Sequence, residues 1–276
     1  MKISVISPVK NESEWIGYSI MAVLPYVHEL IYACAKSTDG TDRLLEYIKE
    51  KYAGEKLKIL RSDRYDWKTG DTESYNASYN DCIKASTGDA VWFLHPDMIV
   101  TNPGAIPWVL PGSLAYWTTL KSLAGDFNTV IAKGRAAKWK NIHLNKFGLK
   151  YSGAYGSKNE DFYHDDITGK ALAHYGENFR RYPFKVSDSG IEALHLCEVK
   201  PYSRRLEKMK SCLRNMYPTW DEAHAHEMAV NHPRVTLEGS GTDIFGHFEF
   251  TKTDSLEPEV VRTYRDEFEK VIREAI

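Results

Sequence analysis

The alternation of strand-like and helix-like segments over the first hundred residues is the feature that most constrains the fold of this chain. Short apolar runs typical of buried strands cover residues 2–7, 30–35, 56–60 and 89–94. Apolar residues at helical spacing mark residues 13–24, 41–52 and 73–85. Because a helix between two strands returns the chain to form a parallel pair, this order predicts an α/β fold with a mainly parallel sheet and right-handed crossovers.

The size, charge and cysteine usage of the chain exclude several classes of protein. Its 276 residues, 42% of them hydrophobic, suffice for a large core. Lys and Arg number 36 against 38 Asp and Glu, which argues against a surface built wholly to grip nucleic acid. The four cysteines lie far apart without CxxC spacing, so neither a zinc ribbon nor a disulfide framework is expected. No apolar run approaches the ~20 residues of a membrane span and no leader pattern is visible, so we expect a cytoplasmic protein.

Polar and turn-forming residues follow each of the four predicted strands. They lie at residues 8–12, 36–39, 61–66 and 95–97. Because the carboxyl ends of parallel strands meet at one edge of a sheet, where ligands bind, the four loops together predict a ligand site there. For any single loop, helix capping or turn formation is the commoner reason for the same residue types, as for Ser37, Thr38, Asp39 and Thr41.

The pattern changes after about residue 100. Residues 125–166 are rich in Gly, Tyr and Lys, and residues 190–197 predict a further strand. A basic helix is predicted over residues 201–216. Residues 257–276 predict an amphipathic helix that packs onto the body of the protein, because acids and bases are mixed on its polar face.

Short motifs follow the predicted strands in a recognisable order. Residues 3–12 read Ile-Ser-Val-Ile-Ser-Pro-Val-Lys-Asn-Glu, residues 37–41 read Ser-Thr-Asp-Gly-Thr, and residues 85–89, Ala-Ser-Thr-Gly-Asp, lead into the strand that ends at His95-Pro96-Asp97. Together they resemble the glycosyltransferases of the GT-A fold, most of all the large inverting family 2, which has an Asp-x-Asp motif where His95-Pro96-Asp97 stands. The resemblance is specific over residues 1–101 and weak from there to 190.

This resemblance implies an activity and a division of the chain. The expected activity is the transfer of a sugar from a nucleotide-diphosphate donor to an acceptor hydroxyl, with inversion and with Mn²⁺ or Mg²⁺ as cofactor. Residues 1–101 would form the nucleotide-sugar-binding half, residues 102–216 the acceptor and metal half of the same GT-A domain, and residues 217–276 a C-terminal helical extension. The acceptor would be a glycan, a small molecule or a nucleic acid, and no membrane span is expected.

The metal ligands implied by the resemblance are Asp97, His195 and His95. A hard divalent cation on carboxylates, helped by Lys or Arg, would neutralise the charge that develops on the departing nucleoside diphosphate. Asp97, at the tip of a strand, is the strongest candidate, and a turn-forming Asp is its alternative. A packed core histidine is as good an interpretation of His95, and of His195 in the motif Leu194-His195-Leu196-Cys197.

The resemblance also implies a set of donor-binding residues. They are Pro8, Val9, Asn11, Glu12, Ser37, Asp39, Trp67, Asn80, His95, Pro96, Arg204 and Lys208. Arg204 and Lys208 of the basic helix would bind the diphosphate. The alternative, which is the more common role of such residues, is a charged helix face exposed to solvent. Where the family has paired acids after its second strand, one of them on the nucleotide base, this chain has Cys34-Ala35. Selectivity for uridine is therefore expected to be weak.

An inverting transfer also needs a general base for the acceptor hydroxyl. Family members supply an acid from the region after the Asp-x-Asp strand, where this chain offers Glu160, Asp161, Asp165 and Asp166. We take Asp161 as the candidate base. For any one of these acids, an ordinary surface charge is the alternative.

Two other functions stay open at the level of sequence. The basic helix and the many Tyr and Trp residues suit a glycosyltransferase that modifies nucleic acid, whose binding would depend on salt. The replacement of an acid by His95 suits a non-catalytic, sugar-nucleotide-binding relic, which would not hydrolyse a donor with Mn²⁺. The cluster that contains His224, His226 and His232 lacks the spacing of a known zinc site.

Overall fold

The structure is a computed structural model. It describes residues 1–65, 72–109, 115–133, 140–145, 149–152, 162–165, 171–174, 186–199, 203, 206, 240–243 and 246–276. The predicted basic helix over residues 201–216 and the histidine cluster lie almost entirely outside the described residues.

Four parallel strands and three helices form the first half of the fold. The strands are β1 (Ile3–Val9), β2 (Glu29–Cys34), β3 (Leu57–Arg61) and β4 (Ala90–Phe93). The helices are α1 (Ile16–Val23), α2 (Thr41–Ile48) and α3 (Thr72–Ala85). The strands lie in the order β3-β2-β1-β4 and all three of their pairings are parallel. The α/β class predicted from the sequence is confirmed.

The second half of the chain extends this sheet. Its strands are β5 (Met98–Val100), β6 (Ala115–Ala124), β7 (Thr129–Lys133), β8 (Lys140–Asn145), β9 (Leu149–Ser152), β10 (Phe162–Asp165), β11 (Ala171–His174), β12 (Val186–Glu198), β13 (Ser240–Asp243) and β14 (Gly246–Lys252). The sheet continues beyond β4 as β8-β6-β7-β14-β13, with antiparallel pairings. β12 pairs in parallel with β6 and antiparallel with β5, and β9, β10 and β11 form a small separate sheet.

The strands β1, β2 and β4 are buried on both faces, as their apolar runs require, whereas the edge strand β3 is only partly buried. Side chains such as Val5, Tyr32 and Trp92 belong to the larger core cluster, which includes α1, α2 and the C-terminal helix. Residues of the opposite parity, such as Ile6 and Phe93, pack instead with the tyrosines of α3. The period of two along β1, β2 and β4 therefore directs their side chains into two separate apolar clusters.

The C-terminal helix, α4 (Glu259–Arg273), packs onto this body as its amphipathic pattern predicts. Phe268 is 1% exposed and its ring lies 5.4 Å from that of Tyr18 on α1. A methyl group on Gly17 would lie 2.7 Å from the Phe268 ring, so the close approach of the two helices requires glycine there. Among the described residues, no helix is both long enough and apolar enough to cross a membrane.

The start of α1 and the end of α2 differ from the boundaries that the sequence predicts. α1 begins at Ile16 rather than at residue 13, because Asn11 has a φ of 54° and the backbone N–H of Ser13 is bonded to the next loop. α2 ends at Ile48, and a π-helical turn, Lys49–Ala53, replaces its predicted last turn.

Candidate functional site

The carboxyl ends of β1 and β4 flank an opening in the sheet. β1 stays paired with β2 as far as Val9, whereas its pairing with β4 ends at Ile6 and Phe93. β2 lies on one side of β1 and β4 on the other, so the strand order reverses between β1 and β4. In open α/β sheets, ligands bind outside the carboxyl ends of the strands at such a point.

Sequence-predicted residues lie on both sides of this opening. Pro8 and Val9 end β1, and His95-Pro96-Asp97 forms the turn after β4. Pro8 lacks a backbone N–H but lies beyond the last β1–β4 pair, where no ladder bond to β4 is lost. The backbone N–H of Met98 donates to the carbonyl of His95 at 3.0 Å, which closes the turn, and the His95 side chain is half-buried.

Hydrogen bonds from polar side chains link the loop after β1 to the loop after β2. Asn11 has a φ of 54°, in the left-handed region that Asn tolerates better than most residues. Its backbone N–H donates to Ser37 Oγ at 3.0 Å, and its side-chain oxygen accepts a bond of 2.7 Å from the N–H of Thr38. Two predicted donor-binding residues, Asn11 and Ser37, are thereby brought into direct contact.

Asp39 completes the link between these two loops. One of its carboxylate oxygens accepts from the backbone N–H of Ser13 at 3.0 Å. The other accepts from the N–H and the hydroxyl of Thr41 at 3.1 and 2.5 Å. The Thr41 hydroxyl oxygen in turn accepts the N–H of Glu12 at 2.8 Å. Asp39 therefore orders the loops and the start of α2, as the capping interpretation of this motif anticipates.

Asp97 and His195 come together across three strands that are distant in sequence. In β12, His195 lies opposite Met98 of β5 and Ser122 of β6. The backbone N–H of Leu196 donates to the Asp97 carbonyl at 2.8 Å, which ties the β4–β5 turn to β12. Asp97 Oδ1 then lies 3.8 Å from His195 Nε2, and both residues are buried, at 8% and 5% exposure.

The donor set of this pair fits a hard or borderline divalent cation. A carboxylate oxygen and an imidazole nitrogen are ligands that Mn²⁺ and Mg²⁺ accept. A separation of 3.8 Å is longer than a hydrogen bond, but two ligands each ~2.1 Å from one ion can lie up to about 4.2 Å apart. Within the described part of the chain, no group of three or more His, Cys, Asp and Glu side chains is arranged to hold a metal.

The polar residues at the end of β3 and directly after it contact α2 and α3 of the scaffold. Arg61 pairs with Asp42 at 3.0 Å and with Glu46 at 2.9 Å, both on α2. Burial by itself would lower the pKa of the Arg61 guanidinium, but these hydrogen bonds raise it overall. Arg64 forms an ion pair with Asp81 of α3.

The remaining donor and base candidates divide into two groups. Asn80 lies on α3, where its side-chain amide donates to the carbonyl of Asn76 at 2.9 Å. Asp165 ends β10, and only its backbone is described. Six candidates lie outside the described residues, namely Trp67, Glu160, Asp161, Asp166, Arg204 and Lys208.

Cys34, which ends β2, and Ala35, which follows it, are both buried. Burial raises the pKa of the Cys34 thiol to about 12, so the thiol is neutral at physiological pH. The backbone N–H of Ala35 donates to the Val9 carbonyl at 2.9 Å and extends the β1–β2 pairing. Neither residue offers a carboxylate to a nucleotide base.

Ser122 is a site residue that the sequence interpretation missed. Its Oγ lies 3.5 Å from His195 Nδ1, and the residue is 1% exposed. The signal available was a small polar residue in β6 that shares the alternation of Leu120 and Ala124. Such a residue is ordinary in isolation, and only the β6–β12 register pairs it with a histidine.

Comparison with known proteins gives structural similarities at low sequence identity. No protein-family profile and no curated protein matches the sequence. Residues 1–349 of TarS from S. aureus are 14% identical, with 86% of this chain and 73% of that chain covered and a TM-score of 0.41. Mannosyl-3-phosphoglycerate synthase from Rubrobacter xylanophilus is 12% identical, with 95% and 90% covered and a TM-score of 0.42.

A third similar structure holds ligands. Glucosyl-3-phosphoglycerate synthase from Mycobacterium tuberculosis, in complex with Mn²⁺, uridine diphosphate and phosphoglyceric acid, is 19% identical. The similarity covers 76% of this chain and 78% of that chain, with a TM-score of 0.38. With scores this low, no residue role is transferred from these proteins to this chain.

Proposed function

We propose that the protein is a metal-dependent glycosyltransferase that moves a sugar from a nucleotide-diphosphate donor to an acceptor hydroxyl, with inversion. The proposal is supported by two structural features that lie at the same edge of the sheet. The cross-linked loops after β1 and β2 lie on one side of the opening, and the turn that contains Asp97 lies on the other, within reach of His195.

The two sides of the opening suit different parts of the donor. The loops around Asn11 and Ser37 would hold the nucleoside, since the hydrogen bonds between these loops reduce the cost of ordering them on binding. Asp97 and His195 would hold Mn²⁺ or Mg²⁺, which supplies neutralisation of the diphosphate charge when bound. The expected further contacts come from Trp67, Arg204 and Lys208, with the cations directed at the diphosphate.

The expected base selectivity depends on the absence of carboxylates at Cys34 and Ala35, at the end of β2. A buried, neutral Cys34 and the methyl group of Ala35 stand where carboxylates would accept hydrogen bonds from a uracil ring. A site built without that partner loses much of the discrimination that the partner provides. We therefore expect uridine, guanosine, cytidine and thymidine diphosphates to bind with similar affinities.

Asp161 is proposed as the general base that takes the proton of the acceptor hydroxyl. It directly precedes β10, in the half of the chain proposed to bind the acceptor. Asp161→Asn keeps the shape but removes the basic charge, so turnover should fall by roughly 10²–10⁴ while donor affinity stays within a few-fold. The same substitution at Glu160, Asp165 and Asp166 decides among the four acids, and full activity of all four variants would contradict the mechanism.

The test of the proposed function is a thermal-shift panel of nucleoside diphosphates and nucleotide sugars, with and without Mn²⁺. A ligand at a hundred times its dissociation constant stabilises the folded state by about 2.7 kcal/mol, which is readily measured. Asp97→Ala should abolish the Mn²⁺-dependent part of the stabilisation and leave the melting temperature of the free protein nearly unchanged. Glu55→Gln, at an exposed acid just before β3, is the control and should behave as the parent.

Three results would distinguish the alternatives. Equal Mn²⁺-dependent stabilisation of the parent and of Asp97→Ala would refute the assigned metal site. Donor binding without Mn²⁺-dependent release of nucleoside diphosphate would point to a binding protein that has lost catalysis. Salt-dependent binding of DNA would favour a nucleic acid as acceptor, because phosphate contacts release counterions.

A further inference from the structure

We infer that Ser122 is the positioning residue of the metal site: its hydroxyl orients the His195 ring so that Nε2 faces Asp97. This inference rests on the proposed function, because it assigns the second contact of a proposed ligand. The juxtaposition that carries it is a row of three buried side chains from the β4–β5 turn, β12 and β6.

The two ring nitrogens of His195 have different neighbours. Nε2 lies 3.8 Å from Asp97 Oδ1, and Nδ1 lies 3.5 Å from Ser122 Oγ. A neutral imidazole can offer a lone pair to a metal through Nε2 only if Nδ1 carries the proton. In the metal-binding tautomer, the Ser122 hydroxyl oxygen would accept that N–H and so hold the ring with Nε2 toward Asp97.

The strand register makes this arrangement specific. β12 is parallel to β6 with His195 opposite Ser122, so the two side chains leave the sheet on the same face. A shift of one residue would turn His195 to the other face, away from both Asp97 and Ser122. The apolar neighbours on β12, Leu194 and Leu196, are buried at 3% and 0% exposure and hold this register.

The residue type at this position is unusual for a buried strand. Alanine would fill nearly the same volume in β6, and valine or isoleucine would suit a buried strand better. A buried hydroxyl carries a desolvation cost that a hydrogen-bonded partner offsets. The side chain that stands opposite it is the histidine whose second nitrogen faces Asp97.

The test measures Mn²⁺ binding in four variants of the full chain. Removing the outer partner of a metal-bound histidine typically weakens metal affinity by roughly 10- to 100-fold, and we expect this for Ser122→Ala. Ser122→Thr keeps the hydroxyl and should restore affinity to within a few-fold of the parent. Ser78→Ala is the matched control, because Ser78 is also fully buried but bonds only its own helix at the Ser74 carbonyl among the contacts resolved. Asp97→Ala reports on the metal site itself.

A second readout separates positioning from general damage to the fold. In Ser122→Ala, the Mn²⁺ concentration that gives half-maximal turnover should rise, and turnover at saturating Mn²⁺ should approach that of the parent. A variant that is merely less stable would lose turnover at every Mn²⁺ concentration. If Ser122→Ala fails to fold, Ser122→Cys takes its place, since a thiol keeps the volume but is a weak acceptor.

The outcomes distinguish this inference from the function on which it rests. If Asp97→Ala loses Mn²⁺ and Ser122→Ala binds it as the parent does, the positioning role is wrong and the metal site stands. If Ser122→Thr is as weak as Ser122→Ala, the effect is one of packing and the inference is also overturned. If the parent binds no Mn²⁺ at all, the metal-dependent function fails, and the role of Ser122 fails with it.

Discussion

Replacing Glu29 by glutamine should destabilise the protein by an amount that depends on pH in a defined direction. Glu29 begins β2, at the end of the sheet opposite the candidate site, and its side chain is 5% exposed. Its carboxylate accepts hydrogen bonds from Lys58 at 2.6 Å, from the Ser4 hydroxyl at 2.7 Å, and from the hydroxyl of Thr87 at 2.9 Å. The network therefore joins β1, β2, β3 and the turn before β4.

The size of the effect follows from the pKa of this carboxyl. Burial alone would raise the pKa, but Lys58, Ser4 and Thr87 together lower it from 4.5 to about 2. At 1.36 kcal/mol per unit, that difference corresponds to roughly 3 kcal/mol. Because more than a third of the Lys58 side chain is exposed, we discount this to about 2 kcal/mol of stability at neutral pH.

The sign of the pH dependence is fixed by the lowered pKa. The contribution of Glu29 is fully present above the unfolded pKa near 4.5 and is lost as the pH falls toward 2. Urea denaturation of the parent and of Glu29→Gln should therefore differ by about 2 kcal/mol at pH 7 and by about half of that at pH 3. Glu55→Gln, at an exposed position, should change stability by no more than about 0.5 kcal/mol.

Two results would refute this reasoning. A difference below about 0.5 kcal/mol at pH 7 would mean that the buried hydrogen bonds do not outweigh the cost of burying the charge. An equal difference at pH 7 and pH 3 would mean that packing, and not the ionised state of Glu29, stabilises this end of the sheet.

Three further predictions address the loops and the helix packing. Gly88→Ala would place a methyl group 2.6 Å from Ser4 Oγ and 2.8 Å from a backbone carbonyl, so the free energy of unfolding in urea should fall by roughly 1–3 kcal/mol. Asp39→Ala removes the acceptor for the N–H groups of Ser13 and Thr41, so stability should fall by about 1 kcal/mol and the donor dissociation constant in the thermal-shift panel should rise; unchanged donor affinity would separate this loop from the site. Phe268→Ala empties the contact between α4 and α1 and should cost roughly 3–5 kcal/mol of stability by urea denaturation, whereas a smaller loss would mean that α4 is dispensable.

The candidate site was predictable from the sequence where its parts are local. The motifs around Asn11 and residues 37–41 carry turn-forming and capping residues in order, and the structure brings them into contact. Asp97 was predicted as a site residue because it lies just after an apolar strand. The sequence left open whether Asp39 caps a helix or binds a ligand. In the structure, one of its carboxylate oxygens accepts a hydrogen bond from Ser13 and the other accepts one from Thr41.

Contacts between segments that are distant in the chain could not be predicted from the sequence. Ser122 looked like an ordinary strand residue, and the network around Glu29 joins residues that are 25 to 58 positions apart. Arg61 was predicted to belong to the ligand edge, yet it ends β3 and pairs with two acids of α2. Side-chain type and spacing do not report which strand lies next to which, so these contacts could not be inferred.

The sequence by itself determined the α/β class, the elements of the first hundred residues and the edge of the sheet at which the polar loops gather, because hydrophobic periodicity and turn chemistry are local properties. The tertiary structure alone decided the strand order β3-β2-β1-β4, the antiparallel extension beyond β4 and the placement of β12 between β5 and β6. That placement sets His195 between Asp97 and Ser122, since strand register, and not local sequence, controls which side chains meet across a sheet.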